Sequence, residues 1–208
     1  MADQRPGPIV GIILAAGTSS RLGRPKQLLE LDGVPLVRIV AERCLASHLD
    51  QVNVVVGHRG DEVAAALHGL DIGIVENSRF ANGQSTSLIA GLESAPDADA
   101  IVVALADQPT IRTGAINALI DARHAGAKIA MASYGTERGH PILFGRELFS
   151  ELREISGDRG GREVIRRHAG DVVVVPGESP APLPDVDTEE AWDDLRASLE
   201  RERRTPQE

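Results

Sequence analysis

The chain reads as an α/β fold of three layers, a mostly parallel sheet covered by helices on both faces, and three observations predict it. Short aliphatic runs recur at Ile9 to Leu14, Gln51 to Val56, Ile72 to Val75, Ala100 to Ala106, Lys128 to Ala132 and Asp171 to Val175. Helical patterns separate them, which is the alternation of parallel βαβ units. The strongest runs are apolar throughout rather than at every second residue, as strands buried on both faces are. Finally, 42% of the 208 residues are hydrophobic but only 2% aromatic, so the core must be built from Val, Ile, Leu and Ala.

The elements follow in order. Ile9 to Leu14 is the first strand, and it stops at the small residues Ala15-Ala16-Gly17. Lys26 to Leu31 is a short helical or extended passage, and Asp32-Gly33 marks a turn. Pro35 suits the first turn of a helix running to about Ser47, with Leu36, Val37, Val40, Ala41 and Cys44 on one stripe. Gln51 to Val56 is a strand, Glu62 to Leu67 a helix and Ile72 to Val75 a third strand, and a polar passage leads to a helix over 85–94. Ala100 to Ala106 is a fully apolar strand, Thr113 to His124 an amphipathic helix and Lys128 to Ala132 a strand. From Tyr134 the alternation breaks: Ile142-Leu143-Phe144 is a strand and Gly145 to Phe149 starts a helix. Glu163 to His168 is a helix, Asp171 to Val175 the last strand, and four prolines between Pro176 and Pro184 forbid a helix there. Thr188-Glu189-Glu190 starts a last helix, and Arg201 to Glu208 is a charged tail. No repeat or linker divides the chain, so one domain over 1–208 is expected.

Charge and cysteine content narrow the function classes. A formal charge of −9 opposes broad nucleic-acid binding, which needs excess Lys and Arg. Residues 185–208 hold nine acids against four arginines, so −5 of that charge is C-terminal. Cys44 is the sole cysteine, which excludes an intrachain disulfide or a Cys-x-x-Cys site. It falls on an apolar helix face and reads as core. Residues 1–8 lack the order of a signal peptide and no apolar run reaches bilayer length, so a cytoplasmic protein without a membrane partner is expected.

The chemistry concentrates after the first strand. Ala15-Ala16-Gly17 lets a ligand approach the backbone, and Thr18-Ser19-Ser20 adds hydroxyls and amides that can face an anion. Arg21, Arg24 and Lys26 follow, with no acid between Gln4 and Leu29. This reads as a polyphosphate site. It is not the common phosphate loop, and no Gly-x-Gly-x-x-Gly supports dinucleotide binding. Asn82-Gly83-Gln84-Ser85 precedes a helix, whose N-terminal N–H groups can hold a base edge or phosphate or simply be capped. Asp107 ends a buried strand, where a carboxylate can bind Mg2+ or initiate a turn. Gly139-His140-Pro141 presents a histidine that can meet a ligand or be structural. Ser156 to Arg162, with Asp158 and Gly160, is either a ligand loop or a plain helix start, and His48, His124 and His168 read as helix-end residues.

Leu14-Ala15-Ala16-Gly17, Ser20-Arg21-Leu22-Gly23, Pro25-Lys26 and Leu28-Leu29 together resemble the signature of nucleotidyltransferases with a Rossmann-like, nucleotide-diphospho-sugar transferase fold. The Ala-Ala-Gly form with Pro-Lys-Gln-Leu-Leu is most similar to the molybdenum cofactor cytidylyltransferases. Gly83 to Leu88, Leu105 to Pro109, Gly139-His140-Pro141, Gly157 to Gly160 and Asp185-Val186-Asp187-Thr188 resemble further motifs of that group.

The resemblance implies transfer of CMP from CTP to the phosphate of a molybdopterin-type acceptor, with release of pyrophosphate. Residues 9–110 would mainly bind the nucleotide, and 111–200 the acceptor and a second metal carboxylate. Leu14, Ala15, Ala16, Gly17, Thr18, Arg21, Lys26, Gly83 and Ser85 would hold the nucleotide. His140, Asp158 and Gly160 would hold the acceptor, and Asp107 and Asp187 a Mg2+ ion, with Arg21, Lys26 and Asp107 catalytic. A molybdenum oxidoreductase would receive the product. Leu22 replaces a common Met, and Leu31-Asp32-Gly33 a common Leu-Pro-Leu segment, which bears on substrate choice. Three alternatives stay open: transfer to another phosphorylated acceptor such as a sugar phosphate, cofactor delivery without turnover, and, least favoured, an NAD-type oxidoreductase. An NAD-type oxidoreductase lacks its glycine fingerprint.

Overall fold

The computed structural model describes residues 7–18, 24–178, 190 and 192–197, apart from the side chain of Arg159. Its elements are β1 (Ile9–Ala15), β2 (Glu30–Leu31), β3 (Val34–Pro35), α1 (Leu36–Leu45), β4 (Gln51–Val56), α2 (Gly60–Ala66), β5 (Gly73–Glu76) and α3 (Gln84–Glu93). There follow β6 (Ala100–Leu105), α4 (Thr113–His124), β7 (Ile129–Tyr134), β8 (Glu137–Gly145), α5 (Phe149–Arg153), α6 (Arg162–Arg167) and β9 (Val172–Pro176).

Seven strands form one sheet in the order β5-β4-β1-β6-β8-β7-β9, and β2 pairs with β3 as a separate hairpin. Every pairing in the large sheet is parallel except those of β8, which runs antiparallel to both β6 and β7. The sheet is therefore mostly parallel, as expected, with one reversed strand inserted. That strand begins at Glu137, earlier than the apolar run from Ile142 suggests. Gly145 closes it opposite Ala100 and caps a 3-10 turn, Arg146–Leu148, that runs into α5 at Phe149, where the sequence places a helix start.

Burial explains the unbroken apolar runs. Ile9 and Ile13 of β1 face a cluster with Val40 and Cys44 of α1, Val63 of α2 and Ile116 of α4. Val10 and Ile12 face the opposite cluster, with Leu88 and Leu92 of α3, Leu152 of α5 and Val164 of α6. Both faces of the strand are thus core, so neither position of the period-2 repeat can be polar. Cys44 is buried, and burial pushes its thiol up to about 12, as for a small hydrophobe rather than a nucleophile. α3 comes close enough to β1 that a side chain at Gly91 would run into Ile12. A third, smaller cluster joins Leu29, Leu31 and Leu36 to Trp192 and Leu195 of the C-terminal helical turn. Among the described residues no helix is long and apolar enough to cross a membrane.

Candidate active site

From β1 the chain steps outward to β4 and β5, then returns to the other side of β1 as β6. The strand order reverses between β1 and β6, and open α/β sheets bind ligands at the carboxyl ends of such strands. Here Ala106 N–H donates to Leu14 O at 3.1 Å and prolongs the ladder one step past the strands. It holds the loop after β1 beside Asp107.

A first cleft of about 460 Å³ opens at this point. It is lined by Leu14 to Thr18 at and beyond the end of β1, Lys26 from the next turn, Leu105 to Asp107 at and beyond the end of β6, and Phe80, Gly83 and Ser87 around the start of α3. Its loop is fixed by a residue that the motif reading passed over. Gln27 is buried at 4% exposure, and its Nε2 donates to Ala15 O at 3.0 Å and Gly17 O at 3.3 Å. With two carbonyls turned back onto Gln27, the loop does not collapse into the cleft. The only signal in the sequence was its place beside Lys26, since an amide cannot be told from a surface Gln by pattern.

The far wall is tied down in the same way. Asn77 is buried, and its Nδ2 donates to Thr86 Oγ1 at 2.9 Å and Ser87 Oγ at 3.0 Å. Gly83 has φ +107, and a side chain there would strike Gly157 and the Asp158 carboxylate. Asp158 Oδ1 accepts from Gln84 N at 3.3 Å, so a carboxylate rests on the N-terminal amides of α3. That is the favourable end of the helix dipole for an anion.

A second cleft of about 690 Å³ adjoins the first. Because β8 is reversed, its first half lies at the carboxyl ends of β6 and β7, which brings Glu137, Arg138, Gly139 and His140 to this side. Arg162 and Ile165 of α6, with Gly160 and Gly161, close it, and Val103, Met131, Ile142 and Phe144 form an apolar wall. Burial, and secondarily the Arg162 guanidinium, pushes His140 down to about 4, so its ring is neutral near pH 7. Tyr134 Oη donates to His140 O at 2.6 Å and fixes the backbone, and burial pushes the Tyr134 phenol up to about 12.

The structure therefore gathers Leu14, Ala15, Ala16, Gly17, Thr18, Lys26, Gly83 and Asp107 in one cleft, and His140 and Gly160 in the next. Asp158 lines the first cleft rather than the second. Ser85 is buried at 1% exposure and lines neither; the hydroxyl residue on the wall is Ser87. Arg21 and Asp187 lie outside the described residues. Of the three histidines read as helix-end groups, His168 bonds Glu151 Oε1 at 2.8 Å across α5 and α6, and lowers that carboxyl below its ordinary value.

Residues 11–172 match the MobA-like NTP transferase domain. The chain belongs to that family. The NTP transferase is 32% identical over 199 residues to nicotine blue oxidoreductase of Paenarthrobacter nicotinovorans, covering 91% of this chain and 97% of the relative. It is 29% identical over 201 residues to the purine catabolism protein PucB of Bacillus subtilis, covering 92% and 97%. Among solved structures it is similar to Rv0371c of Mycobacterium tuberculosis, at 30% identity and TM-score 0.82, covering 93% of this chain and 100% of that one. That protein has also been solved in complex with manganese. The fold of the NTP transferase is the nucleotide-diphospho-sugar transferase type, shared with a nucleotidyl transferase of a methanogen at 26% identity and TM-score 0.79.

Proposed function

We propose that this NTP transferase moves a cytidylyl group from CTP to the phosphate of a molybdopterin-type acceptor and releases pyrophosphate. The observation that carries this reading is the meeting of two unlike clefts. One holds an amide-rich loop, Lys26 and Asp107; the other holds Arg138 and Arg162 beside an apolar wall. The first suits a triphosphate. The second suits an acceptor with an anionic end and a flat apolar body, and a neutral His140 can donate to it or accept from it.

The reaction needs positioning and charge neutralisation more than covalent help. An acceptor phosphate oxygen bonds to the α-phosphorus while the bond from α-phosphorus to the pyrophosphate oxygen breaks, and pyrophosphate leaves with the electron pair. Lys26 faces the triphosphate as a point charge, and Arg21 would add a planar fork. The N–H groups of Ala16, Gly17 and Thr18 would bind the nucleotide, and Leu14-Ala15 would border the base. A methyl at Ala16 narrows the cleft, and one methyl discriminates by about 1–3 kcal/mol, which supports a pyrimidine.

The donor set also fits Mg2+. Asp107 supplies a hard oxygen donor in the first cleft, the donor type that Mg2+ prefers. Mg2+ usually takes one or two carboxylates plus phosphates and waters. Asp107 and Asp187 would hold it, and it would neutralise charge on the phosphate oxygens. The manganese complex of Rv0371c supports a metal of this oxygen-seeking class.

A second reading comes from the relative named as an oxidoreductase. The missing glycine fingerprint speaks against a nicotinamide partner on this chain. Pyrophosphate release with Mg2+ and molybdenum cofactor, or its metal-free pterin, comparing CTP, GTP and ATP with no-acceptor controls, tests the proposal. Release with CTP only when pterin is present supports it, and hand-over of the product to a molybdenum oxidoreductase would follow. Release only with sugar phosphates would move the acceptor. No release with any acceptor, joined to tight NAD(P)H binding, would favour the oxidoreductase; no release without such binding would favour delivery alone.

A further inference from the structure

The two clefts share three lining residues, Leu14, Gln84 and Leu105. Leu14 and Leu105 are the apolar ends of β1 and β6, which leaves Gln84 as the polar group at the seam. It is the first residue of α3, and its backbone N–H is engaged by Asp158. Its carboxamide lies across the 157–161 loop: Oε1 is 3.1 Å from where a Cβ on Gly160 would stand, so glycine there leaves it room. Gln84 is exposed and belongs to neither core cluster of the sheet. Packing therefore does not call for an amide at this point.

We propose that the Gln84 carboxamide aligns the two substrates with each other, donating from Nε2 to the acceptor phosphate oxygen as it meets the α-phosphate. This rests on the nucleotidyl-transfer reading above. An uncharged amide suits the seam for a definite reason. Two phosphates converge there, a carboxylate would repel both, and a lysine would hold them in fixed ion pairs rather than let the bond change hands. Asp158, already bonded to the backbone of Gln84, anchors the start of α3 without placing its charge on the side chain that does the aligning.

The test compares the full chain with Gln84→Met, which keeps length and loses the hydrogen bonds, and Gln84→Glu, which keeps shape and adds charge. Three quantities are read: melting temperature, nucleotide Kd without acceptor, and kcat for pyrophosphate release with CTP and the metal-free pterin. For Gln84→Met the expected result is an unchanged melting temperature, a Kd within about threefold, and a kcat lower by about 10- to 100-fold. Gln84→Glu should fall further in kcat and also weaken nucleotide binding, because its carboxylate repels both phosphates. Wild-type kcat in Gln84→Met would make the residue a mere wall and overturn the inference. In Gln84→Met, a loss of nucleotide affinity as large as the loss of kcat would assign the contact to the nucleotide alone and overturn it too. A wild-type chain that transfers to no acceptor defeats the functional reading itself, and is recognised before any variant is compared.

Discussion

Gln27 shows how one buried amide can hold the loop that lines a cleft. Replacing it by Ala leaves the carbonyls of Ala15 and Gly17 without their donor, and an unsatisfied buried group costs about 1–3 kcal/mol. Gln27→Ala should therefore lower the melting temperature and weaken CTP binding by about tenfold, read by calorimetry; unchanged affinity would mean the loop holds its shape unaided. Asp107→Ala differs. It should abolish Mg2+-dependent turnover with the melting temperature kept, and near-normal rates would remove Asp107 from the metal site. His140 links the site to pH through stability. Its folded value of about 4 lies below the ordinary 6.5, so between these pH values the unfolded chain binds a proton that the folded chain does not. Stability from this group is full above about pH 6.5 and is lost toward pH 4, by about 2–3 kcal/mol. The fall in melting temperature over that window should be shallower in His140→Gln, and a parallel fall would place the effect elsewhere.

At the scale of elements, the start of α3 carries the most consequence. Gly83 has φ +107 and sits against Gly157 and Asp158, so Gly83→Ala is strained in backbone and in space at once. A loss of about 1–3 kcal/mol is expected, with nucleotide affinity falling because the 157–160 loop must move. An unchanged melting temperature and Kd would show that the loop yields freely. β1, β4 and β6 were legible in the sequence because burial on both faces leaves long aliphatic runs. β8 was legible only from Ile142 onward. Its first half, Glu137-Arg138-Gly139-His140, is polar because it lines a cleft, and polarity without alternation does not read as a strand. The hairpin of β2 and β3 showed only as its Asp32-Gly33 turn. The loop after β1 was legible from its small residues as a place a ligand can approach, and it lines the first cleft. The approach of Asp158 to Gln84, 74 residues away in sequence, leaves no local trace, and so Asp158 was expected on the acceptor side.

Across the whole molecule, a reversed strand adds a second cleft to the one begun at residue 14, and a C-terminal helical turn packs on the segment after Lys26. Inserting β8 between β6 and β7 brings a second cleft against the first, with Leu14, Gln84 and Leu105 shared between them. The C-terminal turn joins differently. Trp192, 4% exposed, and Leu195 pack on Leu29, Leu31 and Leu36, a cluster separate from the two that flank the sheet. A satellite of this size can open without the sheet unfolding. Asp187 stands five positions before Trp192 in the sequence. Trp192→Ala removes the largest side chain of the cluster, and core truncations of this kind cost about 3–5 kcal/mol where they are felt globally. Here the cost should be local: faster amide exchange over 192–197, with a small change in the main melting transition. If Asp187 shares the metal with Asp107, the Mg2+ concentration for half-maximal turnover should rise severalfold, while nucleotide Kd without metal stays level. Fast exchange over 192–197 with an unaltered Mg2+ requirement would free Asp187 from the metal and leave Asp107 as the carboxylate on which the ion depends.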